Sequence, residues 1–273
     1  MFIRLAEAEE IVFFVLTGVP QTAFLKCLTT LFHAISLNNT TEEIINYDII
    51  LMDADDTLFD FEKAEEFAFR RAMQEFLLPY SEDHRLLYRK INQSLWEALE
   101  RGETTQNDLK VDRFRQLFEQ LGYMVDCQDF NHHFLNALSD GYFTFYGAAE
   151  LCKTLYEKGC KLYIATNGIG TTQRKRLAYS DICSYIADIF ISEELGYHKP
   201  RGEFFDALFE KLDITDRSRA ILLGDSLTSD MQGGKNAGIK TCWYNPKYKP
   251  CSSQELCDNE IHNLTEFIPI ITG

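Results

Sequence analysis

The pattern of apolar and polar positions changes character along the chain. Residues 48–52 (DIILM) form a short apolar run of β-favouring residues that ends in acidic ones, the signature of a buried parallel strand. From Glu62 to about Gly141 such runs vanish. Apolar residues recur there at helical spacing, in Phe67, Phe69, Met73, Phe76 and Leu77, and again in Leu86, Leu87, Ile91, Leu95 and Leu99. Further helices are predicted over 111–121 and 130–138, with Gly102 and Gly122 as stops, so the stretch holds about four helices. After Tyr146 the two patterns alternate: helices over 148–157, 171–179, 203–212 and near 229–236, strands over 161–165, 188–191, 220–223 and 240–244. That order implies βαβ units, hence an α/β fold with a doubly wound parallel sheet, interrupted by an all-helical insert. In such sheets the crevice for chemistry lies beyond the carboxyl ends of the strands.

Those strand ends carry Asp53, Asp55 and Thr57, then Thr166 and Asn167, then Lys199 some residues past the third strand, then Asp225 and Asp230. Carboxylates, hydroxyls and an ammonium thus converge on one end of one sheet. Two carboxylates with a main-chain carbonyl make a hard oxygen site suited to magnesium. One carboxylate can attack phosphorus while a cation offsets the repulsion between the two anions. A second acid can protonate the departing alkoxide and later deprotonate water. Hydroxyl and ammonium groups can hold the equatorial oxygens of the transferring group.

DADDT at 53–57, TN at 166–167, HKP at 198–200 and GDSLTSD at 224–230 resemble the four ordered motifs of haloacid dehalogenase-like phosphatases. The resemblance covers about residues 48–244 and includes the helical insert, which corresponds to that superfamily's mobile cap. It implies Asp53 as nucleophile and Asp55 as general acid/base, with its main-chain carbonyl touching the metal. It further implies Thr166, Asn167 and Lys199 as phosphate-binding, Asp225 as a metal ligand beside Asp53, and Asp230 as support. The implied cofactor is Mg2+, with Mn2+ able to take its place. DADDTLFDF, TNGIGTTQRKRL, ISEELGYHKP and the run from Gly224 to Pro246 are similar to bacterial pyrimidine 5′-nucleotidases of the house-cleaning type. That similarity implies hydrolysis of UMP, dUMP and dTMP. Sugar-phosphate or phosphoglycolate-type phosphatases and phosphomutases share all four motifs, and a non-enzymatic binding module usually loses one. A dehalogenase has no alkoxide for Asp55 to protonate. A phosphonatase needs a cap lysine, for which Lys90 and Lys110 are the candidates. Specificity is expected from the cap segment 96–110, where Thr104, Thr105, Gln106 and Asn107 cluster.

The expected organisation is therefore an extension (1–44), a core (45–60 and 142–273) and an inserted cap (61–141). A net charge of -15 opposes binding to nucleic acid polymers or anionic membranes, so the expected partner is a small phosphomonoester. Eight scattered cysteines without a CxxC pair read as thiols in a reducing cytoplasm. Ile11 to Leu37 is largely apolar, but Pro20, Gln21, Lys26 and His33 interrupt it and Glu7, Glu9 and Glu10 precede it. This fits neither a signal peptide nor a clean membrane span, and reads as an accessory helix pair or an extension not required for folding. His132 and His133 are read as a solvated helix surface, His198 as motif filler, and Phe59 and Phe61 as either crevice wall or core.

Overall fold

A computed structural model describes residues 2–7, 10–15, 45–251 and 256–273. The chain divides into two units, Met1–Ile44 and Ile45–Gly273. In the first, β1 (Phe2–Glu7) and β2 (Glu10–Val15) pair antiparallel, with Phe2 opposite Val15 and Glu7 opposite Glu10. The expected helix pair is thus corrected over these residues. The second segment is rich in β-branched and aromatic residues, which favour a pleated strand over a helix. The remainder of the apolar stretch, from residue 16 to 37, lies outside the described residues. Among the described residues, no helix is long and apolar enough to cross a membrane.

The second unit is built on six parallel strands in the order β5-β4-β3-β6-β7-β8. These are β3 (Ile49–Met52), β4 (Lys161–Thr166), β5 (Ile186–Ile191), β6 (Ala220–Gly224), β7 (Lys240–Tyr244) and β8 (Asn259–Ile261). All four residues of β3 are buried, and they alternate between two apolar layers. Ile50 and Met52 join the cluster under helix α5 (Ala148–Glu157) with Leu151 and Leu155. Ile49 and Leu51 join the opposite cluster with Phe204, Phe205, Leu208 and Phe209 of α8 (Gly202–Lys211). This period of two is what a strand covered on both faces requires. Burying one such side chain contributes roughly 1.5–3 kcal/mol, so the centre of the sheet is the most firmly held backbone available. The nucleophile candidate Asp53 continues it directly, its N–H donating to Leu223 O at 2.9 Å.

Between β3 and β4 stand four helices: α1 (Phe61–Glu75), α2 (Glu82–Glu100), α3 (Gln106–Leu121) and α4 (Cys127–Ser139). Each begins at a side-chain cap, Asp60, Ser81, Thr105 and Asp126 respectively, accepting from N–H groups of the first turn. Such a cap is typically worth about 1 kcal/mol. Gly122 ends α3 with φ +70°, a left-handed stop suited to glycine. The cap has its own apolar interior, separate from those of the sheet, in which Tyr88 stacks between Phe69 and Phe114 at 4.9 and 5.4 Å. α3 starts five residues earlier than its apolar spacing suggests, because the Thr105 hydroxyl accepts from Asp108 N at 3.2 Å and opens the helix there.

The elements after β4 follow the expected alternation, with α6 (Gly170–Tyr179) and a one-turn α7 (Ser192–Leu195). Residues Leu227–Met231 form a π turn before α9 (Gln232–Ala237), where a single helix was predicted. The sequence pattern also missed β8 and α10 (Phe267–Thr272), which are too short to display a period. Among the described residues no disulfide joins the cysteines.

Candidate active site

The turn after β3 sets the first motif. Leu58 and Phe59 both donate their N–H to Ala54 O, at 3.0 and 2.8 Å, and Asp56 sits at φ +59°, a left-handed position that aspartate tolerates better than most residues. The loop therefore coils back on itself and leaves Asp53 and Asp55 on the wall of one cavity. That cavity has a volume of about 430 Å³, within the ~300–1,000 Å³ of small-molecule sites. Thr166 and Asn167 line it as well.

Lys199 is the hub of the site. Its side chain is 1% exposed, and Nζ donates to Asp53 Oδ1, Asp230 Oδ1 and Ala165 O, each at 2.6 Å. All three ammonium protons are engaged. Burial alone would lower its pKa, but the carboxylates of Asp230 and Asp53 outweigh burial and hold the ammonium well above its ordinary value. The lysine is placed through its main chain: the Asn167 amide donates to Lys199 O and accepts from Lys199 N, both at 2.9 Å. The Asn167 side chain thus pins Lys199 while the residue also lines the cavity. Thr166 Oγ1 accepts from Gly168 N at 3.0 Å, which shapes the loop beyond β4.

Asp230 is buried, accepts from Ser226 N at 3.1 Å, and packs where Gly224 lacks a side chain; a Cβ there would stand 2.3 Å from its carboxyl carbon. Asp53, Asp225 and Asp230 bring carboxylate oxygens within 4.8 Å of one another. Three carboxylates with one ammonium leave two negative charges in a poorly hydrated place. Burial, opposed only in part by Lys199, pushes Asp53 up to about 7. Burial and the neighbouring carboxylates likewise raise Asp225 well above the usual range. Such a cluster fits a hard divalent cation, and its all-oxygen donor set suits magnesium.

Sequence reasoning missed what holds Asp55. Arg176 and Gln173 lie three residues apart on one face of α6. Arg176 Nη1 donates to Asp55 Oδ1, and Gln173 Nε2 donates to Oδ2 at 2.5 Å. Arg176 is fully buried, stacks its guanidinium on the Phe59 ring at 4.7 Å, and donates from Nε to Gly141 O at 3.1 Å. One arginine therefore ties the acid to both chain crossings into the cap. Both residues stand in the TNGIGTTQRKRL run, but nothing in their spacing announced a partner across the sheet.

The chain matches the haloacid dehalogenase-like hydrolase family over residues 47–238, which spans all four motifs. It belongs to that family. This haloacid dehalogenase-like hydrolase is 33% identical over 222 residues to pyrimidine 5′-nucleotidase PynA of Streptococcus pneumoniae, covering 81% of this chain and 94% of PynA. It is 32% identical over 205 residues to pyrimidine 5′-nucleotidase YjjG of Escherichia coli, covering 75% and 89%. Its fold resembles the crystal structure of YfnB from Bacillus subtilis, a magnesium-bound HAD-hydrolase with interdomain movement. That match has a TM-score of 0.79 and 36% identity over 84% of this chain and 100% of YfnB. PynA, YjjG and the glyceraldehyde 3-phosphate phosphatase of Pyrococcus abyssi are phosphatases by name, and this hydrolase is an enzyme of that kind.

The other candidates sort by place. Phe59 is core, whereas Phe61 lines the cavity. His132 is exposed, and His133, half-buried, pairs with Glu75 at 2.6 Å on the outer surface of the cap. Lys110 is ion-paired to Glu193, and Lys90 is exposed at the cavity wall. The cluster at Thr104–Asn107 is corrected as the specificity element, since none of its residues lines the cavity. Thr105 caps α3, and Gln106 Nε2 donates to Asn167 O at 3.2 Å, latching the cap to the core.

Proposed function

We propose that this enzyme is a magnesium-dependent 5′-nucleotidase that hydrolyses pyrimidine nucleoside monophosphates such as UMP, dUMP and dTMP through an aspartyl phosphate on Asp53. The observation that carries the reading is the hub at Lys199, which draws Asp53 and Asp230 together at one end of the cavity, with Asp225 beside them. Magnesium, or manganese in its place, would be held by Asp53, Asp225 and the main-chain carbonyl of Asp55, and supplies charge neutralisation at the transferring phosphoryl group.

In the first half-reaction an oxygen of Asp53 forms a bond to phosphorus as the ester bond to the nucleoside oxygen breaks. Asp55 delivers a proton to that departing oxygen. Lys199 keeps the nucleophile oriented and places positive charge where the equatorial oxygens gather theirs. Thr166 and the loop it shapes bound the phosphate from the β4 side. In the second half-reaction Asp55, now ionised, takes a proton from water, the water oxygen bonds to phosphorus, and the Asp53–phosphorus bond breaks to free phosphate.

The substrate part of this reading is tested by specificity constants across a panel. UMP, dUMP and dTMP should exceed AMP, GMP, glucose 6-phosphate and phosphoglycolate by at least about tenfold, the scale that one well-placed polar contact supplies. Equal rates across the panel would leave a general phosphatase.

Gln173 and Arg176 are positioning residues for Asp55 in this scheme. Gln173→Leu should lower kcat/KM on a nucleoside monophosphate by about 10- to 100-fold, part of the 10²–10⁴ that a general acid contributes. The kcat/KM for p-nitrophenyl phosphate, which reports only formation of the aspartyl phosphate and whose leaving group needs no proton, should fall far less. Equal losses on both substrates would mean that Gln173 only supports the fold.

A further inference from the structure

The ceiling of the cavity holds a row of charged and polar cap side chains that the chemistry at the sheet does not use. Glu65 on α1 is 2% exposed, Asn92 on α2 is 5% exposed and Arg113 on α3 is 2% exposed, and all three line the same cavity as Asp53. Burying a carboxylate, an amide and a guanidinium together costs stability unless each is well paired. Their mutual contacts are long. Asn92 Nδ2 donates to Glu65 Oε1 at 3.3 Å, Arg113 Nη1 donates to Asn92 Oδ1 at 3.3 Å, and Arg89 Nε lies 3.5 Å from Glu65 Oε2. These lie at or beyond the long end of the usual N–H···O range. Burial pushes Glu65 up to about 7, with Asp56 adding to the rise and Arg89, Arg113 and Arg85 opposing it. Glu62 holds Arg89 from its other side and Arg113 also donates to Tyr88 Oη at 3.4 Å, yet Glu65, Asn92 and Arg89 all line the cavity.

The contacts also fix an order. Asn92 stands against one oxygen of Glu65 and Arg89 against the other, so the row reads amide N–H, carboxylate oxygen, guanidinium N–H. That is donor, acceptor, donor. Arg113 sits behind Asn92 and is itself held by Asn131 at 2.8 Å and by the faces of Phe114 and Phe134 at 4.9 and 4.8 Å. Arg113 therefore orients the amide so that its N–H side faces Glu65. Trp96, half-buried one turn along α2 from Asn92, lines the cavity and offers a flat face for an aromatic ring.

We infer that Asn92, Glu65 and Arg89 read the imide edge of a uracil or thymine base, whose carbonyl, N3–H and carbonyl present acceptor, donor, acceptor. The inference rests on the nucleotidase reading and deepens it. Glu65 accepts from N3–H, and Asn92 and Arg89 donate to the two flanking carbonyls. Cytosine presents an amino donor and an unprotonated N3 at the same edge, so it sets a lone pair against the Glu65 carboxylate. The cap thus discriminates between pyrimidines as well as against purines, and unpaired buried polar groups make that discrimination steep.

The test compares kcat/KM for UMP, CMP and 3-methyluridine 5′-monophosphate in the wild-type enzyme and in Glu65→Gln, each referred to p-nitrophenyl phosphate, which carries no base. In the wild type, UMP should exceed both CMP and the N3-methylated nucleotide by about 10- to 100-fold, the worth of a hydrogen bond to a charged group. Glu65→Gln, which can present an N–H to cytosine N3, should shrink the UMP:CMP ratio by at least about tenfold. The methylated substrate needs no altered protein, so a variant that fails to fold does not decide the matter. Wild-type enzyme that cleaves UMP, CMP and the methylated nucleotide equally well overturns the edge-reading role while leaving a nucleotidase. Enzyme that prefers sugar phosphates to every nucleotide overturns both readings. A Glu65→Gln enzyme with an unchanged UMP:CMP ratio overturns the assignment to Glu65.

Discussion

Asp53→Asn should lower turnover by about a thousandfold or more while leaving the protein folded. The amide is nearly the size of the carboxylate, and its oxygen can still accept from Lys199, whose ammonium keeps Asp230 and Ala165 O as partners. What is lost is the charge that attacks phosphorus. Asp53 is also one of three crowded carboxylates, and burial already pushes it up to about 7. Removing its charge eases that crowding, so thermal stability without metal should hold or rise. Phosphate release and a melting curve on the same preparation check both halves. Wild-type turnover, in protein free of contaminating phosphatase, would overturn Asp53 as nucleophile.

Loss of activity is equally the expected result for Asp225→Ala and for the wild type in excess chelator, with added magnesium restoring only the latter. With Asp225 gone, Asp53 and Asp230 remain, and both already accept from Lys199, while Asp230 also accepts from Ser226 N. The charge that drew the cation is then halved. The pH dependence follows from the raised pKa values. A folded-state value raised from 3.8 to about 7 means that protonation of Asp53 stabilises the metal-free fold at low pH. That contribution is complete below about 4 and is lost as pH rises through about 7. Ligands bind a cation only when ionised, so magnesium should raise the melting temperature more at pH 8 than at pH 5.5. Full activity in chelator, or a magnesium shift independent of pH, would contradict this site.

Much of this was legible in the sequence because the sheet imposes a rule. A buried parallel strand must read as an apolar run, and whatever follows it stands at the crevice. The positions of Asp53, Thr166 and Asp225 at the strand ends were therefore readable from the apolar runs, and that of Lys199 from its place after the third strand and in the HKP motif. The contributions of Asn167, Gln173 and Arg176 were not, because each acts through a partner from a distant part of the chain. Asn167 and Lys199 are 32 residues apart, and Gln173 and Asp55 are 118 apart. Glu65, Asn92 and Arg113 were hidden for a different reason. Each sits on a helix face whose apolar neighbours set the period, so a buried polar residue looks like one more position between them. Polarity is more conspicuous at Thr104–Asn107, where Thr105 opens a helix and Gln106 latches the cap to Asn167 O.

The cap and the sheet keep separate apolar interiors, the first built around Phe69, Tyr88, Phe114, Phe130 and Phe134. Substitutions in distant, unshared interiors act almost independently. Changing the aromatic filling beneath Asn92 and Arg113 should therefore shift that row of cap side chains while leaving the carboxylates at the sheet in register.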